Sequence, residues 1–338
     1  MEQIKINPSI NFLKKMKLAE LHVHLGSCVT PTVLWELAHA QGIKLPTKDY
    51  WEFENLVSLD KPTDYESYLR MFDLLERIQS SPEAMFTMIQ AVAMTAYREN
   101  NIDLVEYRGN PILRSRKGEI DLDHLIVFTL QGMERAMLKY PIKVGFILCM
   151  DRRFSLAENE AIVKKAIKYQ KRGIVGIDLA GPIDYNDYSR NFKPADLKNL
   201  VAQAKDAGLG VTIHTGEATG VDEMWAVVKE LKPHRLGHGI AAINDPYLLD
   251  YLREHEIILE TCPTSNLKTQ VISSIDQMKN IYQKLKEFGV KFTINTDGPT
   301  LQKTNLKKEY QLLLKNMVLN EDDLIKANEI AHEATFLN

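Results

Sequence analysis

Apolar positions along this chain fall into two alternating rhythms. Runs of strand length, at 20–25, 102–108, 142–150, 174–179, 210–214, 235–238, 257–260 and 291–297, are built on apolar residues, continuous in some and interleaved with polar positions in others. Between them lie longer stretches, at 33–41, 82–99, 122–139, 156–171, 194–207, 221–231, 246–255 and 276–288, which read as helices. Punctuation agrees with this division. Thr30-Pro31-Thr32 is a helix start, while Gly42, Gly208 and Gly289 stand where helices should stop. Strands this apolar belong in a parallel sheet covered by helices, and eight of them are the count that closes a (β/α)8 TIM barrel. A doubly wound open sheet would show the same alternation, so the barrel rests on the count and on where polar residues fall.

Two regions break the rhythm. Residues 45–80, after the first strand, are irregular and then helical, with Tyr50, Trp51, Phe53, Tyr65, Tyr68 and Phe72 among them. Such an insertion is either a lid over a pocket or an ordinary excursion of the core. Residues 305–317 and 321–334 predict extra C-terminal helices that close the barrel. No linker, repeat or low-complexity tract divides the chain, so 1–338 is expected to be one barrel domain.

The polar residues inside the strands gather toward their C-terminal ends: His22 and His24, Glu106 and Arg108, Asp178, His214, His238, Glu260 and Asp297. That end is the catalytic face of a barrel. Four of the nine histidines sit there, which random placement would not produce. Composition narrows the class further. A net charge of -3 offers no bulk attraction to nucleic acid or to an anionic membrane. Three widely spaced cysteines, Cys28, Cys149 and Cys262, do not make a disulfide framework. The N-terminus lacks the apolar core of a signal peptide, and no run of about eighteen apolar residues occurs. A soluble cytoplasmic protein is expected, with no nucleic-acid or membrane partner and an oligomeric state the sequence leaves open.

Residues two apart on a strand share a face, so His22 and His24 can converge on one ion. A single His-x-His pair is weak evidence. His214 at the end of the fifth strand supplies a third imidazole, and Asp297, on the strand that meets the first in a closed barrel, a carboxylate. Three or four N/O donors with a position left over describe a catalytic zinc site, though iron, manganese or cobalt would also suit them. Such a site makes water nucleophilic near neutral pH and needs proton-handling partners. His238, between Gly237 and Gly239, suits the orienting and deprotonating of water; Glu217, past the strand end, suits an acid. Each has a plainer reading, a histidine bonded at a turn and a carboxylate at a helix N-terminus.

These stretches resemble the adenosine deaminase family of metal-dependent amidohydrolases. The resemblance is carried in order by Glu20-Leu21-His22-Val23-His24-Leu25, Val105-Glu106-Tyr107-Arg108, Asp178-Leu179-Ala180-Gly181, His214-Thr215-Gly216-Glu217, Arg235-Leu236-Gly237-His238-Gly239, Glu260-Thr261-Cys262-Pro263-Thr264-Ser265-Asn266 and Asn295-Thr296-Asp297. It implies one zinc per chain on His22, His24, His214 and Asp297. It also implies that Glu217 protonates purine N1, that His238 steers water onto C6, and that ammonia leaves. Gly181 matches the family glycine whose amide meets purine N3, and Asp178 is placed with it among the substrate contacts. Glu106 and Arg108 are read as an interior ion pair, and 262–266 as the loop after the seventh strand.

Two positions depart from the family pattern. Gly26, followed by Ser27, replaces the acidic residue that meets the 5′-hydroxyl in nucleoside deaminases. Gly298 replaces the second aspartate of the last motif, which bonds purine N7. Loss of the carboxylate at 26 suggests room for a 5′-phosphate or bulkier group. The expected substrate is adenosine or deoxyadenosine, with AMP, dAMP or a modified adenine compound as the alternative. Free adenine, another aminated heterocycle, a cyclic amide, or an inactive purine-binding barrel are more distant readings.

Overall fold

The computed structural model describes residues 11–115, 121–181 and 193–337. Residues 1–10 of the stretch read for a signal peptide, and the side chains of Tyr65 and Tyr68, lie outside the described set. Helix α1 (Asn11–Lys15) leads into strand β1 (Leu18–His24). An excursion of helices α2 (Pro31–Ala40), α3 (Tyr50–Leu56) and α4 (Tyr65–Ile78) follows, then α5 (Pro82–Asn100). The alternation then runs β2 (Ile102–Gly109), α6 (Leu122–Lys139), β3 (Lys143–Asp151), α7 (Leu156–Tyr169), β4 (Ile174–Ala180) and α8 (Lys198–Asp206). It continues with β5 (Gly210–Thr215), α9 (Val221–Glu230), β6 (Arg235–His238), α10 (Pro246–Glu254) and β7 (Ile258–Thr261). Short α11 (Pro263–Lys268), α12 (Ile275–Phe288), β8 (Phe292–Ile294), α13 (Leu306–Lys315) and α14 (Glu321–Glu333) complete it.

The eight strands pair in sequence order, every pair parallel. Closure between β8 and β1 is made differently from the other seams. A single bridge joins Val23 and Asp297, with His24 N donating to Asp297 O (2.8 Å) and Asp297 N to His22 O (3.0 Å). Below it the Asn295 side chain takes over the ladder's task. Its Oδ1 accepts from Leu21 N (2.9 Å) and His22 N (3.1 Å), buried amides that would otherwise lack partners there. Local signals set the helix ends: Ser155 and Glu158 form a reciprocal cap on α7. Ser81-Pro82 opens α5, and Asn101 ends it in the left-handed region at φ 58°.

Two expectations need correction. Glu106 and Arg108 do not pair with each other, because residues two apart share a face but lie in successive layers of the barrel. Arg108 points to the upper layer and bonds Asp178 (3.0 Å) and Glu260 (2.7 Å). Glu106, one layer down, binds Arg235 and receives Thr335 Oγ1 and the Phe336 amide from the C-terminal tail. There the Phe336 ring plugs the barrel floor beneath the Arg235 guanidinium, 3.6 Å from its centroid. Gly210 is required at this place, since a Cβ would overlap the ring. Secondly, 263–268 is helix α11 rather than loop, with Pro263 in its first turn. No helix among the described residues is long and apolar enough to cross a membrane.

Candidate active site at the C-terminal mouth of the barrel

Strands from opposite sides of the barrel deliver the donors. His22 and His24 come from β1, His214 from β5, and Asp297 from just beyond β8. One donor atom of each lies within 4.8 Å of all the others. His24 Nε2 stands 3.1 Å from His214 Nε2 and 3.3 Å from Asp297 Oδ1. His22 Nε2 is fully buried and makes no hydrogen bond, its nearest carboxylate oxygen, Asp297 Oδ1, standing 3.5 Å away. Packing lone pairs this closely is unfavourable unless a cation sits among them.

The surrounding shell aims those lone pairs inward. His22 Nδ1 meets Glu260 Oε2 at 2.8 Å and His214 Nδ1 meets Asp178 Oδ2 at 2.8 Å, which leaves both Nε2 atoms turned to the common point. Ser265 Oγ donates to Asp297 Oδ2 (2.6 Å), leaving Oδ1 to face the histidines. Arg108 then ties Asp178 to Glu260, and Arg235 Nε reaches Glu260 Oε1 at 2.7 Å. Burial holds the His24 and His214 imidazoles below the ordinary histidine value, so they are neutral donors. For Asp297 burial acts upward, but His22, His24 and His238 together hold it well below the usual carboxylate range. The residues therefore fit a divalent metal.

Beside this focus opens a cleft whose walls include His24, Phe72, Gly181, Glu217 and His238. Burial, reinforced by nearby Asp297, pushes the Glu217 carboxyl well above its ordinary value, which favours its protonated form. Burial, then His22, pushes His238 well down, so that ring is neutral. Its Nε2 is 3.6 Å from Glu217 Oε2. Both His238 (φ 61°) and Asp297 (φ 62°) are held in the left-handed region, a cost of order 1–3 kcal/mol each that the surrounding contacts must offset.

Other expected contacts are placed differently. Asp178 is fully buried, with both oxygens engaged by Arg108 and His214, and lies behind the ligand ring rather than on the cleft wall. Ser27 is buried, its hydroxyl donating to His24 O (2.9 Å). Gly298 forms the turn after Asp297, donating to Thr296 O (2.8 Å) and accepting from Gln302 N (2.9 Å). Neither lines the cleft. Gly181 does, at φ +89°, where a Cβ would run against Asp151. The room expected beside Gly26 is filled: a Cβ there would collide with Glu76 Oε1. Sequence reasoning missed Glu76, on α4, and the positioning part of Asn266. The Asn266 amide lies 3.1 Å from His238 Nδ1 and 3.5 Å from Glu217 Oε1, joining these two side chains. Its place in the quoted 260–266 motif was the signal that could have found it.

Comparison with known proteins accords with this geometry. The adenosine deaminase family profile matches residues 17–338. The chain belongs to the adenosine deaminase family. It is an aminohydrolase of that family, and adenosine deaminases of Enterococcus faecalis (30% identical; 96% of this chain, 94% of that one) and Shewanella loihica (28%; 95% and 94%) are similar over their length. Solved structures share the fold. An adenine deaminase of Arthrobacter aurescens superposes with a TM-score of 0.84 at 19% identity, over 95% of this chain and 94% of that one. A Burkholderia ambifaria amidohydrolase with bound zinc gives 0.85 at 22%, covering 100% and 90%. An Arabidopsis relative complexed with IMP gives 0.80 at 24%, covering 97% and 94%.

Proposed function

We propose that this aminohydrolase removes the 6-amino group of adenosine or deoxyadenosine, giving the inosine-type product and ammonia. The observation that carries the reading is the convergence of three imidazoles and Asp297 beside Glu217, whose carboxyl burial raises, and His238, whose imidazole burial lowers, in one cleft. A divalent ion on His22, His24, His214 and Asp297, by donor type one zinc per chain, supplies the Lewis acidity that makes water nucleophilic near neutral pH. The chain's own residues handle the protons. Glu217 donates to ring N1 as C6 becomes tetrahedral, and His238 orients the attacking water and relays its proton. A C6–O bond forms, the C6–N bond breaks, and the nitrogen leaves with its protons as ammonia. Asn266 keeps the acid and the imidazole in register. The Gly181 backbone, on the cleft wall, would meet purine N3.

An adenine nucleotide such as AMP or dAMP is the second reading, favoured by the IMP complex of the Arabidopsis relative. The three cysteines are all free, which suits a reducing compartment such as the cytoplasm. An ammonia-release assay with metal analysis tests the roles. His214→Ala is expected to lose bound metal and turnover together. Glu217→Gln should keep the metal and lose about 10²–10⁴-fold in kcat. Near-full activity in Glu217→Gln would show that the acid is another group.

A further inference from the structure

Glu76 stands where a side chain at residue 26 would otherwise project. It is buried on α4, one turn after Phe72, and both line the cleft with His24. Arg114 fixes the carboxylate through two bonds, Nε to Oε2 at 2.6 Å and Nη2 to Oε1 at 3.0 Å. The guanidinium is 1% exposed, spends Nη1 on Met85 Sδ (2.8 Å), and is no part of the cleft wall. From the other side Gln79 Nε2 holds Gly26 O at 2.6 Å, so the backbone at 26 cannot back away. The order of the charges decides what the cleft can take. An incoming group meets the carboxylate first and the arginine only behind it.

Each carboxylate oxygen held by one arginine N–H keeps capacity for a further donor. A hydroxyl supplies that donor; a phosphate, with only acceptors and negative charge, is repelled. Of the other acidic wall residues, Glu217 and Asp297 belong to the reacting centre, and Asp151 is paired with Arg153, which also lines the cleft, through bonds of 2.9 and 2.7 Å. We propose that Glu76 is the specificity residue of this site, accepting the terminal sugar hydroxyl of an uncharged nucleoside and excluding its 5′-phosphate. This rests on the adenine-deaminase reading and adds to it the group that the adenine must carry.

Steady-state deamination of adenosine and AMP by the metal-loaded enzyme, with calorimetric binding of inosine and IMP, tests it in three proteins: wild type, Glu76→Ala, and Glu76→Ala combined with Gly26→Asp. Wild type is expected to favour adenosine over AMP at least a hundredfold in kcat/KM. Glu76→Ala should lose about ten- to a hundredfold on adenosine, chiefly in KM, and inosine binding should fall in parallel. Because it uncovers Arg114, the same change should narrow or invert the adenosine-to-AMP ratio. Returning a carboxylate to the same volume from residue 26 should restore the preference. Equal or better use of AMP by wild type overturns the proposal, as does a loss in Glu76→Ala that is equal for both substrates and not rescued. If no adenine compound is deaminated, the functional reading fails, and the inosine-to-IMP binding ratio still decides what Glu76 does.

Discussion

At the scale of single residues, this site separates groups that hold charge from groups that aim them. The candidate donors His22, His24, His214 and Asp297 could be read from the sequence because their chemistry is distinctive, strand alternation puts His22 and His24 on one face, and all four fall at strand ends. Asp178 was misjudged, and the reason is geometric. Strand β4 runs on to Ala180, so Asp178 lies a layer below the mouth, where it meets His214 Nδ1 instead of the cleft. Asn266 was passed over because an amide has no charge to notice and its partners come from β6 and the turn after β5. Removing it leaves the ligand ring intact, yet frees the His238 ring and Glu217 relative to each other. Asn266→Ala is therefore expected to bind metal as wild type does and to lose about ten- to a hundredfold in kcat, with KM little changed. Metal content measured beside steady-state kinetics checks it; a parallel loss of metal would make Asn266 a structural residue only.

At the scale of elements, all eight strands and the helices between them followed from the apolar pattern, because the strands are buried on both faces and the helices on one. What periodicity could not give was how neighbouring elements meet. The α4 helix supplies Phe72 and Glu76 to the cleft, which settles the 45–80 excursion as part of the site wall, but nothing local to that helix names its neighbour. The β1–β8 seam is similar. With β8 only three residues long, the ladder is short, and Asn295 completes it with a side chain. Asn295→Ala would strand the buried amides of Leu21 and His22 at about 1–3 kcal/mol apiece. A loss of roughly 2–5 kcal/mol in urea-unfolding stability is expected, together with weaker metal retention because His22 loses its anchor. Unchanged stability would mean that the seam is carried by the Val23–Asp297 bridge alone.

At the scale of the whole molecule, buried carboxyls not matched by arginine make stability depend on pH, with a sign that can be worked out. Burial is the largest influence on Glu309 of α13 and raises it from 4.5 to about 7, against the opposing bonds from Thr264 N in the first turn of α11 (2.9 Å) and from the hydroxyl of Thr304. Burial likewise raises Glu20 on β1 to about 7. Between pH 4.5 and 7 the folded chain keeps protons that the unfolded chain has released. The contribution of these two carboxyls is therefore greatest below that window, declines as pH rises through it, and levels off above about 7. The imidazoles of His24, His214 and His238, lowered by burial, contribute with the opposite sign. Each group can account for at most about 3 kcal/mol of the decline. Glu309→Gln cannot ionise and resembles the protonated carboxyl in shape, so the variant should lose about half of the slope contributed by this pair. Its stability relative to wild type should rise steadily from pH 5 to 7 and then hold constant. Unfolding free energies measured at half-unit steps from pH 5 to 8.5 check this, and a difference that is flat across the whole range would show that Glu309 is ionised throughout, with Thr264 and Thr304 outweighing its burial.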